Sequence, residues 1–212
     1  MRRFAMGGMA ALLALASFVG TAPAAPVAAA GSSCTGWTSR VVPPRTIRVL
    51  LARSGVVRTV PFHTYVARVM ASGEWPTYLP YGTLVAGGFA AKQYAWYHAL
   101  KGHHRSSYVN RAGRCYDVRN DTNDQLYSQG AHPTKKQLRA LGQLWQLSLR
   151  RNGRFILTGY RAANTSDRCA ADTDGWHLYE LSASHCSRLG MSGLDILRHY
   201  YGGRLVRFVH PA

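Results

Sequence analysis

The spacing of apolar residues changes several times along the chain, and each change predicts a different element. Residues 46–52 (TIRVLLA) and 56–60 are β-type runs on either side of a Ser54-Gly55 turn, which predicts a β-hairpin. The next apolar side chains recur at intervals of three and four, as on one face of a helix. They are Phe62, Tyr65, Val66, Val69 and Met70.

The helix so defined carries Glu74 at its end. Pro61 suits the first helical turn, because the N–H that proline lacks has no helical partner there. Continuing the same phase brings Glu74 to the end of the apolar stripe, and Gly73 and Pro76 predict that the helix stops at this point.

A second helix is predicted over residues 83–100, a segment rich in alanine and glycine. The Gly87-Gly88 pair inside it is unfavourable by about 1 kcal/mol per residue relative to alanine. Close packing against another element is the simplest reason for keeping both glycines.

The remaining pattern predicts several short elements. Residues 125–127 are interpreted as a short strand, and Thr134 as the cap of a third helix whose apolar positions run to Leu149. A strand over 154–160, a loop over 161–176, helices near 178–189 and 192–200, and a strand over 204–209 complete the chain. Without a regular βαβ order, we expect a single α+β domain with helices packed on a small mixed sheet.

The N-terminus is typical of a secretory signal. Arg2 and Arg3 precede a short apolar run, and small residues follow up to Ala30. We expect residues 1–30 to be removed, with a cut near Ala25 as the alternative; a buried N-terminal helix is the competing interpretation. Residues 31–45 are then an irregular lead-in, and residues 46–212 the domain. No later run is long enough to predict a transmembrane helix.

The net charge predicts an anionic partner. The chain has 26 Lys and Arg residues against 9 Asp and Glu, a net charge of +17. Such an excess attracts polyanions over long distances. For an exported protein these are cell-wall polymers and anionic lipid headgroups rather than nucleic acid. A solubility charge without any partner is the alternative.

Four cysteines in an exported chain predict two disulfides. We favour Cys169–Cys186, which closes a short loop, and Cys34–Cys115, which ties down the N-terminus. A metal site is the rival, because His185 adjoins Cys186 and several histidines lie upstream, but no C-x-x-C or H-E-x-x-H spacing occurs. We therefore expect no metal and no cofactor.

Four segments together resemble the SpoIID/LytB family, which contains sporulation stage II protein D and amidase enhancers. In chain order they are VPFHTYVARVMASGEWP (60–76), LVAGGFAAKQYAWYHAL (84–100), NDTNDQLYSQG (120–130) and LGMSGLDILRHYYGGRLV (189–206). The resemblance covers most of the chain after the signal. The sequence departs from the family pattern at Gly73, at Lys92-Gln93 and in a glycine- and histidine-rich stretch, of which only residues 175–177 are a remnant.

The resemblance implies a lytic transglycosylase that cuts peptidoglycan glycan strands, with Glu74 as the general acid/base. Most glycosidases need two carboxylates, but a transglycosylase can work with one. That group protonates the glycosidic oxygen and then accepts the proton of the sugar's 6-hydroxyl as this oxygen attacks C1. Burial against Tyr65, Trp75 and Tyr78 is expected to raise the pKa of Glu74. The alternative is that Glu74 caps a helix or pairs with an arginine.

Three further residues are candidates for glycan binding. Gln125 offers an amide for sugar hydroxyls, Tyr127 a ring for stacking on a pyranose, and Lys92 a charge that could stabilise a developing anion. The alternative for Gln125 and Tyr127 is burial in a strand, and the alternative for Lys92 is a position on an exposed helix face. Glu180 is expected on a solvated helix face.

Two functions fit these residues. The first is the transglycosylase; the second is a non-catalytic peptidoglycan-binding module or amidase enhancer, which holds glycan and stimulates a separate wall amidase. The in-phase position of Glu74 favours the first, and the departures from the family pattern favour the second. In either case we expect a secreted or wall-associated protein.

Overall fold

The structure of the chain is a computed structural model that describes residues 34–100, 109–162, 168–170 and 173–202, together with the backbone of 204–207. The predicted signal, residues 1–30, lies outside the described residues. Of the lead-in, residues 34–45 are described, and they contain no helix. They are joined to the domain through an isolated bridge between Trp37 and Leu100.

The described residues form an α+β domain with eight short strands and five α-helices. In chain order these are β1 (Thr46–Leu51), β2 (Val56–Pro61), α1 (Phe62–Val69), α2 (Tyr81–Ala99), β3 (Val118–Arg119), α3 (Lys135–Gln143), β4 (Leu147–Arg151), β5 (Arg154–Phe155), β6 (Gly159–Arg161), β7 (His177–Tyr179), α4 (Glu180–Arg188), α5 (Gly193–Tyr201) and β8 (Arg204–Arg207). A π-helical turn, Met70–Glu74, directly follows α1.

The strands form three small sheets rather than the one sheet that we expected. The predicted hairpin is present as β1 and β2, and β3 joins β1 in parallel to make the first sheet mixed. A second, antiparallel sheet has the order β5-β4-β8, and β6 and β7 form a parallel pair.

Helix α2 lies at the centre of the fold and contacts α1, α3, α4 and α5. A helix enclosed in this way is apolar around most of its circumference, and α2 is buried along nearly its full length, with a few polar side chains such as Lys92 among its buried residues. The predicted close packing at its two glycines is confirmed. A Cβ on Gly87 would lie 2.1 Å from the Trp75 ring, and one on Gly88 3.0 Å from the Met70 sulfur.

Three sequence-based predictions of elements were wrong, two in their extent and one altogether. The helix capped by Thr134 has the expected capping box with Gln137 but ends at Gln143, because the chain then turns into β4. The predicted strand over 154–160 is split between β5 and β6. Residues 125–127 are not a strand, since their backbone groups bond to side chains instead of to a neighbouring strand.

The structure contains the two disulfides favoured from the sequence. Cys34–Cys115 joins the lead-in to the segment before β3, and Cys169–Cys186 joins a loop to α4. No cysteine is free. These bonds close loops with separations of 81 and 17 residues, and disulfides of this kind are compatible with an oxidising, extracellular compartment.

Candidate active site around Glu74

Glu74 ends the π-helical turn, and Gly73 gives this turn its shape. The backbone of Gly73 has φ 106°, which an L-residue with a side chain rarely adopts. A glycine at this position therefore has a local structural reason. Short π-helical segments are frequent at functional sites, and this one turns the chain so that Glu74 is half-buried and Trp75 enters the core.

The Glu74 carboxylate is held by a backbone group rather than by a cation. Its Oε1 atom accepts a hydrogen bond of 2.6 Å from the N–H of Leu126. Among the described residues, no lysine, arginine or histidine forms an ion pair with it. The alternative of an arginine pair thus finds no support in this part of the chain.

Burial raises the pKa of Glu74 above its ordinary value of 4.5, and the hydrogen bond from Leu126 opposes that rise. Because only Oε1 accepts this bond, Oε2 remains for a proton. The pKa direction is the one required of a carboxyl that donates a proton near neutral pH.

The aromatic residues around Glu74 differ in part from those predicted. Tyr65 and Trp75 are fully buried, but Tyr78 is 78% exposed, so the expected burial against Tyr78 was wrong. Tyr160 takes its place: its ring lies 5.3 Å from that of Trp75. The negative charge of Glu74 contributes to the raised pKa of both Tyr65 and Tyr160, whose main cause is burial.

Gln125 is a positioning residue in this site rather than a free glycan contact. It is fully buried; its Oε1 accepts from the Tyr65 hydroxyl (3.0 Å), and its Nε2 donates to the Tyr160 hydroxyl (2.9 Å) and to the carbonyl of Ala91 (3.1 Å). These bonds fix the residue next to Leu126 and so aim the Leu126 N–H at Glu74. The prediction that Gln125 binds sugar hydroxyls is not compatible with this burial.

Tyr127 is also engaged internally. Its ring is 4% exposed and stacks on Tyr65 at 5.1 Å, and its hydroxyl accepts a long hydrogen bond (3.4 Å) from Arg68. A ring covered in this way offers little face for a pyranose, although the residue lines a surface cavity.

Lys92 has a structural role, which corrects its assignment as a substrate contact. Its side chain is 0% exposed, and its Nζ donates to the carbonyls of Leu144, Trp145 and Leu147, where the chain leaves α3 and enters β4. Burial lowers its pKa well below 10.5. Substrate has no access to an ammonium in this position.

Glu180 is the residue that sequence reasoning missed. We expected it on a solvated face, but it is 9% exposed at the start of α4. Burial and the negative charge of Glu74 raise its pKa to about 6. The sequence does contain a signal for the burial of Glu180. Ala183 and Ser184, three and four positions later, lie on the same helix face, and they are small residues of the kind found on packed faces; both are buried.

A basic groove of about 650 Å³ borders the β1–β2 turn. Arg53, Arg111 and Arg119 line this groove, and Asp121 pairs with Arg119 at 2.6 Å. A second cavity, of about 680 Å³, shares Arg53 and Ser54 with the groove and is lined by Tyr127 and Ser128, within two residues of Leu126. Glu74 itself does not line either cavity.

Two aspartates near the candidate site, Asp117 and Asp124, are engaged by neighbouring residues. Asp117 binds the backbone N–H and guanidinium of Arg48, and Asp124 accepts from the hydroxyl of Tyr94 and the N–H of Arg119. Within the described ranges, no cluster of three or more His, Cys, Asp or Glu residues has a geometry that could hold a metal ion.

The chain matches no family model and no curated protein sequence. In the part of the chain that the structure describes, none of the helices has both the length and the hydropathy needed to cross a membrane.

Proposed function

We propose that this protein is an exported, SpoIID-like cell-wall protein that cleaves peptidoglycan glycan strands as a lytic transglycosylase, with Glu74 as its reacting carboxyl. The observation that carries the proposal is the state of Glu74. It is half-buried, bonded to one backbone N–H and, among the described residues, free of any cationic partner.

The chemistry needs a carboxyl that changes its protonation within one turnover. A proton passes to the glycosidic oxygen, the C1–O bond breaks, and the 6-hydroxyl oxygen of the same sugar attacks C1. The proton of that hydroxyl then returns to a carboxylate, so no water is consumed. A carboxyl with a pKa raised by burial can serve in both directions, whereas one paired with arginine would remain ionised.

The position of Glu74 is set by elements on two sides. Trp75 is anchored against Gly87 of α2, and Leu126 is anchored through Gln125 to Tyr65 and Tyr160. Reacting groups are most effective when their supports are rigid. This support is consistent with catalysis and exceeds what a surface carboxylate requires.

The basic groove is the proposed binding surface for the anionic polymer. Each muramic acid residue of a peptidoglycan strand carries a carboxylate or an acidic stem peptide, and Arg53 and Arg111 provide charges of the opposite sign along the groove. The neighbouring cavity, which shares Arg53 with the groove, is lined by Tyr127 and Ser128, and these residues directly follow Leu126, whose N–H holds Glu74.

The second candidate is the non-catalytic module or amidase enhancer. The burial of Lys92 and Gln125 favours it, because two of the predicted glycan contacts are used inside the fold. In that case the groove would hold glycan while a separate amidase cuts the wall.

Mass spectrometry of digested glycan strands separates the two candidates. The protein without residues 1–30 is incubated with strands whose stem peptides have been removed and, in parallel, with intact peptidoglycan. We expect anhydro-muramic ends with the wild type and a loss of at least about 100-fold with Glu74→Gln, the size expected for removal of a general acid/base. Glutamine retains an oxygen that can accept the Leu126 N–H, so the turn should stay folded. Equal glycan binding by both proteins, without anhydro ends, would instead support the binding module.

A further inference from the structure

Glu180 is a largely buried residue, 9% exposed, whose carboxylate is only partly enclosed. No hydrogen bond or ion pair joins this carboxylate to any described residue. Even partial burial of a carboxylate without a cation or donor is unfavourable. In a chain with 26 basic residues, such isolation is unexpected for a residue that serves only stability.

The backbone places Glu180 on the face of the β6–β7 pair that carries Tyr160. In the parallel β6–β7 pair, Tyr160 is opposite Leu178, so their side chains lie on one face of the pair. Tyr179 is extended (φ −96°, ψ 119°), which returns Glu180 to the face of Leu178. On that face the Tyr160 ring packs against Trp75, the neighbour of Glu74.

The two carboxyl groups also interact through their charges. The charge of Glu74 contributes to the raised pKa of Glu180 and to that of Tyr160. Glu74, Tyr160 and Glu180 therefore form one electrostatic cluster.

The two glutamates differ in what holds their charge. Glu74 receives the N–H of Leu126, which stabilises its ionised form, whereas Glu180 receives no donor from the described residues. When two like charges are close, the better solvated or better hydrogen-bonded group ionises first and the other retains its proton. The raised pKa of Glu180, about 6, agrees with this order.

We propose that Glu180 is the proton donor of the site and that Glu74 is the proton acceptor. This inference rests on the proposed glycan cleavage and divides between two residues the duties that a single carboxyl would otherwise perform. Glu180 gives its proton to the glycosidic oxygen as the C1–O bond breaks. The 6-hydroxyl oxygen bonds to C1, and its proton passes to the Glu74 carboxylate. Exchange with solvent then restores both groups.

The pH dependence of the reaction follows from this order. The active form has Glu74 ionised and Glu180 protonated, and it is most abundant between the two pKa values. The kcat should therefore be highest at mildly acidic pH, and its alkaline limb should have an apparent pKa of about 6. If Glu74 alone served as acid and base, substitution of Glu180 would leave the alkaline limb of the pH profile of kcat in place.

The experiment exploits the fact that Glu74 and Glu180 are the only glutamates in the chain. Protein labelled with ¹³C at the glutamate side-chain carboxyl gives two resonances, which Glu180→Gln assigns. We expect Glu180 to titrate near pH 6 and above Glu74, and its midpoint to fall in Glu74→Gln. If Glu180 titrates at or below Glu74, or does not respond to Glu74→Gln, the proposal is overturned.

Activity provides the second arm. Glu180→Gln should lose about 100-fold or more in kcat while its affinity for glycan strands stays within about twofold, and Glu180→Asp should recover part of the rate. A kcat within about threefold of the wild type at every pH would overturn the proposal. If the wild type cleaves no glycan at all, the proposed function fails, whereas the order of the two titrations still decides which carboxyl holds the proton.

Discussion

Gly87→Ala is the substitution that most clearly separates packing from helix propensity in this fold. Gly87 lies within α2, where alanine is favoured over glycine by about 1 kcal/mol. Its Cβ would however lie 2.1, 2.2 and 2.5 Å from three carbons of the Trp75 indole. Ordinary carbon–carbon contact is about 3.5–4.0 Å, so the ring or the helix must move by more than 1 Å.

The ring is enclosed by its neighbours. Trp75 is fully buried, and Tyr160 packs against it at 5.3 Å. Overpacking of this kind costs about 1–3 kcal/mol, and sometimes more. A displacement of more than 1 Å in a ring packed on both sides places Gly87→Ala at the upper end of that range. After the gain in propensity, we expect a net loss of about 2 kcal/mol in the free energy of unfolding, or about 4–8 °C in Tm.

Gly142→Ala is the matched control. Gly142 lies in α3, and its Cβ would meet no atom within 4 Å. Alanine there should leave stability unchanged or raise it by up to about 1 kcal/mol. Urea denaturation with the disulfides intact measures both variants. A Gly87→Ala protein at least as stable as Gly142→Ala would refute the packing argument.

Three further predictions concern Lys92, the basic groove and Glu180. Lys92→Met should lower the free energy of unfolding by about 1–3 kcal/mol, because the carbonyls that Lys92 binds lose their donor. Its affinity for glycan, measured by titration calorimetry, should stay within about twofold of the wild type. A loss of glycan affinity without a loss of stability would show that Lys92 contacts the substrate. Arg53→Gln should weaken binding of peptidoglycan strands at low salt but not of neutral chitin oligosaccharides, whereas Arg58→Gln, an exposed arginine of β2 outside the groove, should change neither in the same assay. Since Glu180 has a folded-state pKa of about 6 and an ordinary value of 4.5, the folded chain holds its proton more tightly, and stability falls as pH rises from about 4.5 to about 6. Glu180→Gln should therefore be more stable than the wild type by roughly 1–2 kcal/mol at pH 7.5, allowing for partial solvent screening, and show no such gain at pH 4 in urea denaturation; equal stability at pH 7.5 would contradict the buried unpaired charge.

Local patterns in the sequence predicted most of the elements. The Ser54-Gly55 turn predicted the β1–β2 hairpin, and the Thr134 cap predicted the start of α3. The Gly87-Gly88 pair correctly indicated a close approach to α2. These signals are local or concern a single packing surface, so they can be interpreted without knowledge of the tertiary structure.

The errors arise where long-range contacts decide the outcome. Leu149 fits a helical phase, but it lies in β4, where it pairs with β8 and exchanges two hydrogen bonds with the side-chain amide of Gln93. Gln125 and Lys92 are polar residues whose partners lie 34–60 and 52–55 positions away. Polar side chains that satisfy distant backbone groups resemble binding residues when only the sequence is considered.

In the candidate site too, local features were predictable from the sequence and long-range contacts were not. The position of Glu74 at a helix end followed from periodicity, whereas the Leu126 N–H that holds it comes from a segment about fifty residues later. Glu180 comes from another segment again, and the charge interaction between the two glutamates has no trace in the local sequence. The relation between the two distant glutamates becomes visible only in the folded chain, where β6 and β7 lie side by side.

The source of the oxygen at each newly formed chain end tests the central claim most directly. Peptidoglycan strands are digested in water enriched in ¹⁸O, and the new ends are analysed by mass spectrometry. If the carboxyl site transfers the sugar to its own 6-hydroxyl, the wild type forms unlabelled anhydro ends, and Glu74→Gln forms none. Ends that carry ¹⁸O would show hydrolysis, and cleavage that persists in Glu74→Gln would show that Glu74 is not the reacting carboxyl.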